Sequence, residues 1–231
     1  MSFETVTIRD CTLIRGDCLA VLPTLAVGSV DCAVTDPPYG MSFQSNRRRE
    51  MQDKIQADDG YEMFDFACQI EAKHSRYVFG RWNNLSRCTP ASVITWVKNN
   101  WSMGDLNHEH ARQTELVLFW PGVQHSWPYS RPTDVVFAPR SGNDLHPAEK
   151  SVALMRRVVS WTAGTVFDPF MGVASTGVAC VHLGRKFIGI EIEKRYFDIA
   201  CKRIERAYED TALLDYGVAV RESQEELFDS T

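Results

Sequence analysis

The pattern of apolar and polar positions predicts alternating strands and helices in the last third of the chain. Short apolar runs at 164–170 and 186–192 predict strands, and stretches with helical periodicity precede and follow them. The predicted helices cover 146–161, 175–184 and 193–214. Pro147 near the start of the first and Gly184 at the end of the second are typical helix boundaries. This order of elements indicates a parallel sheet with helices on both faces.

Two more strands are predicted in the first forty residues, and each ends in an acidic residue. They are TLIRGD, which ends at Asp17, and VDCAVTD, which ends at Asp36. The segment 18–25 between them predicts a short helix.

The middle of the chain, residues 41–145, is less regular. Its first twenty residues are polar and charged without sustained periodicity, which predicts a mobile loop. Four further strands follow, at 76–80, 92–98, 115–120 and 134–138. We expect one α/β domain over residues 1–231, with the loop and the target-recognition region inside 41–145, and a flexible acidic tail at 217–231.

Composition limits the classes of protein that the chain can belong to. It has 231 residues, 44% of them hydrophobic, and no apolar run near the ~20 residues that a membrane span needs. Its first residues lack the pattern of a signal peptide. The seven cysteines are scattered, and no C-x-x-C pair occurs. We therefore expect a soluble cytoplasmic protein without disulfides.

A ligand site is indicated where the strand at 164–170 ends. Asp168 closes this strand, and Gly172 and Gly177 follow at the turn into the next helix. The next strand ends at Glu191, where a carboxylate is placed to accept hydrogen bonds from ribose hydroxyls. Val178 after Gly177 excludes the phosphate-binding G-x-x-x-x-G-K-[ST] pattern. The pattern therefore favours a nucleoside without a bound pyrophosphate.

Several sequence blocks, in a fixed order, resemble the DNA amino-methyltransferases. The blocks are GDCLAVL, VDCAVTDPPYG, VITWVKNN, HPAEK, VFDPFMG, STGVA and LGRKFIGIEI. With DPPY placed before DPFMG, the chain is similar to the circularly permuted subgroup called beta. It departs from the family pattern at Ser151, Val173 and Ala174, where the family commonly has proline, a small polar residue and glycine.

The resemblance implies a fold, a cofactor and a set of residues. The fold is a Rossmann-like methyltransferase fold, with a mostly parallel, twisted, seven-stranded sheet and helices on both faces. The cofactor is S-adenosyl-L-methionine, without a metal ion. The residues expected to bind this cofactor are Asp17, Cys18, His146, Lys150, Asp168, Phe170, Gly172 and Glu191. Asp17 is equally suited to cap the following helix.

The DPPY block suits methyl transfer to the amino group of a flat base. That nitrogen is a poor nucleophile because its lone pair is delocalised into the ring. Asp36 and the carbonyl of Pro37 are acceptors that localise the lone pair, and Pro37 and Pro38 hold the backbone rigid. Tyr39 offers a ring on which a flipped base stacks. These four residues are the predicted catalytic residues.

The predicted activity is methylation of adenine N6 in duplex DNA. In the resembling enzymes Asp in the position of Asp36 usually accompanies adenine, and Ser accompanies N4-cytosine. An N4-cytosine enzyme, an RNA methyltransferase and a non-catalytic DNA- or cofactor-binding relative are the alternatives. Cytosine C5 chemistry is disfavoured, since no Pro-Cys dipeptide occurs. His108 and His110 lack further ligands at a suitable spacing for a metal site.

Partners are predicted from charge and from one short motif. The net charge is −5, so contact with double-stranded DNA requires a local basic surface, for which Arg47, Arg48 and Arg49 are candidates. Related enzymes are often dimers. The tail residues Gln224, Leu227 and Phe228 form Q-x-x-L-F, which is similar to the peptide that docks on bacterial sliding clamps. The alternative is that Leu227 and Phe228 pack on the protein's own surface. We expect the protein in a bacterial or phage-infected cell.

Overall fold

A computed structural model describes residues 3–26, 28–38, 60–100, 110–142, 145–146 and 149–229, with side chains as far as residue 212. The described strands are β1 (Glu4–Ile8), β2 (Cys11–Arg15), β3 (Cys32–Thr35), β4 (Ser75–Gly80), β5 (Ser92–Val97), β6 (Thr114–Pro121), β7 (Val135–Phe137), β8 (Val166–Asp168) and β9 (Phe187–Glu191). The α-helices are α1 (Cys18–Val21), α2 (Glu62–Gln69), α3 (Val152–Val159), α4 (Ser175–His182) and α5 (Lys194–Asp229).

The strands form one mixed sheet in the order β1-β2-β9-β8-β3-β4-β6-β5-β7. All of them run in one direction except β1 and β6. The predicted α/β fold class is confirmed, but the sheet has nine strands within the described residues, not seven. The short strands β1 and β7 extend it at its two edges.

The direction of chain winding reverses between the neighbouring strands β8 and β3. From β8 the chain passes through α4 to β9 on one side, and from β3 it reaches α2 and then β4 on the other side. We call the boundary between β8 and β3 the switch point. Ligands of open α/β sheets bind at such a point, outside the carboxyl ends of the strands.

Side chains alternate between two cores because successive residues of a strand point to opposite faces. Leu13 and Val34 join the core that includes buried residues of α3, α4 and α5. Their sequence neighbours Ile14 and Ala33 join the core that includes buried residues of α1 and α2. Helices therefore cover both faces of the sheet, as predicted.

Two predicted elements differ in extent from the observed ones, and two observed elements were not predicted. Helix α3 begins at Val152, where the Ser151 side chain accepts a hydrogen bond from the Leu154 amide, so His146 and Lys150 precede the helix and do not begin it. The polar pattern gave no sign of α2 or β1. Helix α5 continues to Asp229 and includes most of the predicted tail at 217–231, whose flexibility stays a prediction.

All seven cysteines are free thiols in the structure. Among the described helices, none combines the length and the apolar character that crossing a bilayer requires.

Candidate active site

Four acidic residues come together where parallel strands end. Asp17 follows β2, Glu191 ends β9, Asp168 ends β8 and Asp36 follows β3. Because these four strands run in the same direction, their carboxyl ends meet at one edge of the sheet, which we call the carboxyl edge. The catalytic half of this edge comprises β3 to β7, and the cofactor half comprises β2, β8, β9 and α4. The predicted catalytic and cofactor residues therefore lie on the two sides of the switch point.

Asp36 contacts a buried lysine. Its Oδ2 lies 2.7 Å from Nζ of Lys150, and both side chains are largely removed from solvent. The ammonium also lies 3.3 Å from Oε2 of Glu115 and sits over the ring of Phe79. These two carboxylates raise the pKa of Lys150 despite its burial, so the lysine is a cation. Lys150, predicted to bind cofactor, thus contacts the predicted catalytic carboxylate.

A second ion pair lies behind this contact. Nζ of Lys98, which follows β5, is 2.6 Å from Oε1 of Glu115, the second residue of β6. Burial by itself would raise the pKa of Glu115, but Lys150 and Lys98 together lower it to about 2. The result is a chain of alternating charges, Lys98, Glu115, Lys150 and Asp36, which we call the charge chain.

Asp168 joins the two halves of the site across the switch point. Its Oδ1 accepts from the Thr35 hydroxyl at 2.8 Å, and its Oδ2 accepts from the Thr176 hydroxyl at 2.6 Å. Burial raises its pKa to about 6, against these hydrogen bonds. Since its carboxylate is occupied by the protein's own donors, Asp168 shapes the turn between β8 and α4.

The turn after Asp168 leaves open space beside its backbone. Gly172 has φ +51°, and a Cβ built there would meet no atom within 4 Å. Gly177 differs: a Cβ there would lie 2.8 Å from Ile204 and from Phe187, so this glycine serves the packing of α4. Ala174 adopts φ 59°, ψ 42°, the left-handed region that glycine prefers. This conformation explains physically why glycine is common at that position of the turn.

Glu191 closes the cofactor half. Its Oε1 accepts from the Glu193 amide at 2.7 Å, and the amides of Gly172 and Ile192 also favour its charged form. Burial outweighs these bonds and raises the pKa of Glu191 to about 7. A buried carboxyl with only neutral donors has capacity for further donors, and ribose hydroxyls are donors of this kind.

The other predicted cofactor residues have different surroundings. Asp17 accepts from the Leu19 amide at 2.9 Å and so caps α1, as its alternative role required, while its cofactor role stays a prediction. Cys18 is buried. Burial and the nearby charge of Lys150 lower the pKa of His146 to about 4, and its ring contacts Tyr196 edge to face. Phe170 packs edge to face against Phe66 of α2.

The remaining predicted residues fall partly inside and partly outside the described part of the chain. Tyr39, Arg47, Arg48 and Arg49 lie outside the described residues, as does the predicted mobile loop. Pro37 is buried directly behind Asp36, and Pro38 is half-buried. The tail residues of the proposed clamp motif, Gln224, Leu227 and Phe228, lie within helix α5. Among the described side chains, no group of three or more His, Cys, Asp and Glu is arranged to hold a metal ion.

Sequence reasoning missed the residues that support the site. Lys98 and Glu115 were assigned only to strands, although a charge beside an otherwise apolar run at a strand end was a usable signal. Arg203 of α5 had no signal. Its guanidinium donates to the Val173 carbonyl at 2.7 Å and lies 3.0 Å from Glu149, so it fastens the turn after Asp168 to the segment that carries Lys150.

Comparison with known proteins identifies the family. A sequence profile described as "DNA methylase" matches residues 121–202. A protein of Escherichia coli (strain K12), "Putative methylase YubD", is 31% identical over 225 residues, which cover 87% of this chain and 95% of that protein. The chain belongs to the DNA amino-methyltransferase family. S-adenosyl-L-methionine is the methyl donor of this family, which confirms the predicted cofactor at that level.

Further relatives of this methyltransferase agree with that placement. The type II methyltransferase M.HinfI of Haemophilus influenzae is 26% identical and covers 84% of the chain and 68% of its own length. Two solved structures share the fold. The M1.HpyAVI–SAM complex has a TM-score of 0.64 at 24% identity, over 84% of this chain and 98% of that one. The cytosine-N4-specific PvuII DNA methyltransferase has a TM-score of 0.62 at 15% identity, over 88% and 93%.

Proposed function

We propose that this methyltransferase transfers a methyl group to the N6 amino group of adenine in duplex DNA, with Asp36 as the principal acceptor for that amine. The observation that carries the proposal is the position of Asp36. Its carboxylate lies at the carboxyl edge, fixed by Lys150 at 2.7 Å, and its neighbour Thr35 is bonded to Asp168 at the start of the cofactor turn. The Asp36 carboxylate is thus connected, through Thr35 and its hydrogen bond to Asp168, to the turn that suits the methyl donor.

The residues of the cofactor half fit a nucleoside with an amino-acid side arm. The open side of Gly172 lets the ligand approach the backbone, and Glu191 provides an acceptor for ribose hydroxyls. Asp17 and Phe170 lie around the same end of the sheet and contribute further contacts. When bound, S-adenosyl-L-methionine supplies a methyl group activated by its sulfonium.

The residues of the catalytic half act on the base. Asp36 and the carbonyl of Pro37 accept the two amine hydrogens and localise the nitrogen lone pair toward the methyl group. Lys150 holds the Asp36 carboxylate in place through their 2.7 Å ion pair. Tyr39 follows directly in the sequence and is proposed to stack on the flipped base. The rate then depends mainly on the positioning of the amine.

The carboxyl edge also exposes aromatic surface suited to DNA. Trp82 follows the end of β4 and is 79% exposed, and Phe137 ends β7 with the same exposure. Both strands run parallel to β3 in the sheet, so both rings lie at the edge that holds Asp36. Exposed rings beside a base-processing site are suited to contact with unpaired or splayed bases.

Expression in a host without DNA methylation tests this function. Sequencing with a readout of modified bases is expected to find N6-methyladenine within one short recurrent sequence. DNA from cells that express the Asp36→Ala variant is the matched control and is expected to carry none. Unmodified DNA from cells that contain the folded wild-type protein contradicts the proposal.

N4-cytosine methylation is the second candidate, favoured by the fold shared with the cytosine-N4-specific PvuII enzyme. An amino group on cytosine needs the same acceptors. The Asp36 side chain favours adenine, by resemblance to enzymes in which serine stands at that position when cytosine is the target. The same sequencing experiment separates the two bases.

A further inference from the structure

The charge chain contains a second ion pair, between Lys98 and Glu115, to which the proposed function assigns no role. Asp36 and Lys150 already form one ion pair at the site. Glu115 and Lys98 form a second, at 2.6 Å, and Glu115 extends its other oxygen to 3.3 Å from the same lysine. The two pairs are therefore one connected unit, built from the ends of β3, β5 and β6 and the segment before α3.

Stability alone does not account for this second pair. Removing charges from water costs free energy, and apolar residues of similar volume in the same place are usually as stable or more stable. The side chain of Lys98 is 7% exposed and that of Glu115 is 17% exposed, so both have lost most of their solvation. A role in the function of the site explains why this cost is present.

The geometry points to control of Lys150. A lysine paired with Asp36 alone is free to follow that carboxylate or to move toward the substrate. Held between two carboxylates, at 2.7 Å and 3.3 Å, its ammonium has one position that satisfies both. Lys98 in turn fixes Glu115.

We propose that Glu115 is a positioning residue for methyl transfer, which holds the Lys150 ammonium so that the Asp36 carboxylate keeps one orientation and part of its negative charge for the substrate amine. Without Glu115, the Lys150 ammonium pairs with Asp36 alone. It then neutralises more of the carboxylate's charge, and Asp36 becomes a weaker hydrogen-bond acceptor for the substrate amine. The inference rests on the proposed function, because it assigns Asp36 the role of acceptor.

Three variants test this role in the full-length protein. Glu115→Gln keeps the size of the side chain and removes its charge. The double variant Glu115→Gln with Lys98→Met removes one charge of each sign and so restores neutrality. Asp31→Asn is the matched control, because Asp31 pairs with Lys73 at 3.0 Å beside the start of β3, at the opposite edge of the sheet.

The readouts are the single-turnover rate at saturating cofactor and duplex DNA, the affinity for S-adenosyl-L-methionine, and thermal unfolding. Glu115→Gln is expected to lower the rate roughly 10- to 100-fold, as expected for a misplaced catalytic group. Its cofactor affinity should change less than about twofold, since Glu191 and the turn are untouched. The double variant should regain thermal stability and keep the low rate. Asp31→Asn should lose stability and keep the wild-type rate.

Three outcomes overturn the inference. A double variant that regains both stability and rate shows that only charge balance mattered. A Glu115→Gln variant that keeps the wild-type rate shows that Lys150 needs no second carboxylate, while the proposed function stands. If Glu115→Gln does not fold, the rate of the double variant decides in the same way. A folded wild-type protein that methylates no DNA base overturns the proposed function and, with it, this role.

Discussion

The acidic residues on the two sides of the switch point have different partners. On the cofactor side, Asp168 and Glu191 accept hydrogen bonds from hydroxyl and amide groups. On the catalytic side, Asp36 and Glu115 form ion pairs with lysines. The consequences for ionisation are opposite. Burial among neutral donors raises the pKa of Asp168 to about 6 and that of Glu191 to about 7. Two cations lower the pKa of Glu115 to about 2 although it is also buried.

This difference shows how one sheet edge supports two tasks. Binding a nucleoside requires an acceptor that can take up new donors, and Glu191, which contacts only neutral donors, retains that capacity. Activating an amine requires a negative charge in a fixed orientation, and the Asp36 carboxylate, held by its ion pair with Lys150, supplies it. The predictions that follow test whether the two halves act separately in this way.

The largest expected effect comes from Asp36. Asp36→Asn keeps the shape of the side chain and removes the charge, so we expect the rate at saturating cofactor to fall roughly 10²- to 10³-fold. The affinity for S-adenosyl-L-methionine, measured by calorimetry, should stay within about twofold, because the changed group lies in the catalytic half. Loss of cofactor binding in a folded variant would show that the two halves are not separable.

The next effect is on stability, at the junction between the halves. Asp168→Ala leaves the hydroxyls of Thr35 and Thr176 buried without their acceptor, so the free energy of unfolding should fall by about 2–4 kcal/mol. Thr35→Val removes one of these donors and should cost about 1 kcal/mol. Chemical denaturation measures both. If Asp168→Ala and Thr35→Val lowered the free energy of unfolding equally, the hydrogen bond from Thr176 to Asp168 would contribute nothing to stability.

Glu191 should make cofactor binding depend on pH. Its pKa is raised to about 7, so the neutral form stabilises the cofactor-free fold at acidic pH, and this contribution is lost as pH rises from the unfolded value of about 4.5 to about 7. Ribose hydroxyls favour the carboxylate, so binding should strengthen up to about tenfold between about pH 6 and pH 8, with release of a proton.

The matched variant is Glu191→Gln, which cannot ionise. We expect it to weaken binding by about 1.5–3 kcal/mol at about pH 8 and to lose this pH dependence. Calorimetry in buffers with different heats of ionisation counts the released proton. A wild-type affinity that does not change over this pH range would argue against a ribose contact at Glu191.

The smallest effect is expected at Ala174. Its left-handed conformation costs about 1–2 kcal/mol, which glycine removes, while glycine loses a buried methyl group and gains freedom in the unfolded chain. Ala174→Gly should therefore change the free energy of unfolding by less than about 0.5 kcal/mol.

Ala179 is the control for this change, because it is equally buried within the regular part of α4. Ala179→Gly brings no relief of strain and should cost about 1.5–2 kcal/mol. The difference between the two variants measures the strain at Ala174. Equal costs would show that the turn is relaxed.

The cofactor half was the more predictable part of the molecule. Strands β8 and β9 and helix α4 have continuous apolar runs bounded by Asp168, Glu191 and Gly184, so local pattern and local structure agree. The start of α3 was wrong by several residues, because the pattern of the HPAEK block suggested a helix that begins only after Ser151.

The contacts within the charge chain could not be predicted, because they depend on the order of the strands in the sheet. Its members are separated by up to 114 positions, from Asp36 to Lys150, and they meet only because β5 and β6 are inserted beside β4 in the sheet. A single sequence predicts which residues end strands, but it does not show which strand ends become neighbours. Strand order therefore decides the environment of Asp36.

Identification of the methylated nucleoside tests the central claim most directly. Purified protein is incubated with duplex DNA and S-adenosyl-L-methionine that carries an isotopic label in its methyl group, and the digested nucleosides are separated by mass spectrometry. We predict label in N6-methyladenine, and labelling that is roughly 10²- to 10³-fold slower when Asp36→Asn replaces the wild-type protein. Label in N4-methylcytosine alone would contradict the assignment of adenine, and the absence of label from both nucleosides would contradict the proposed function.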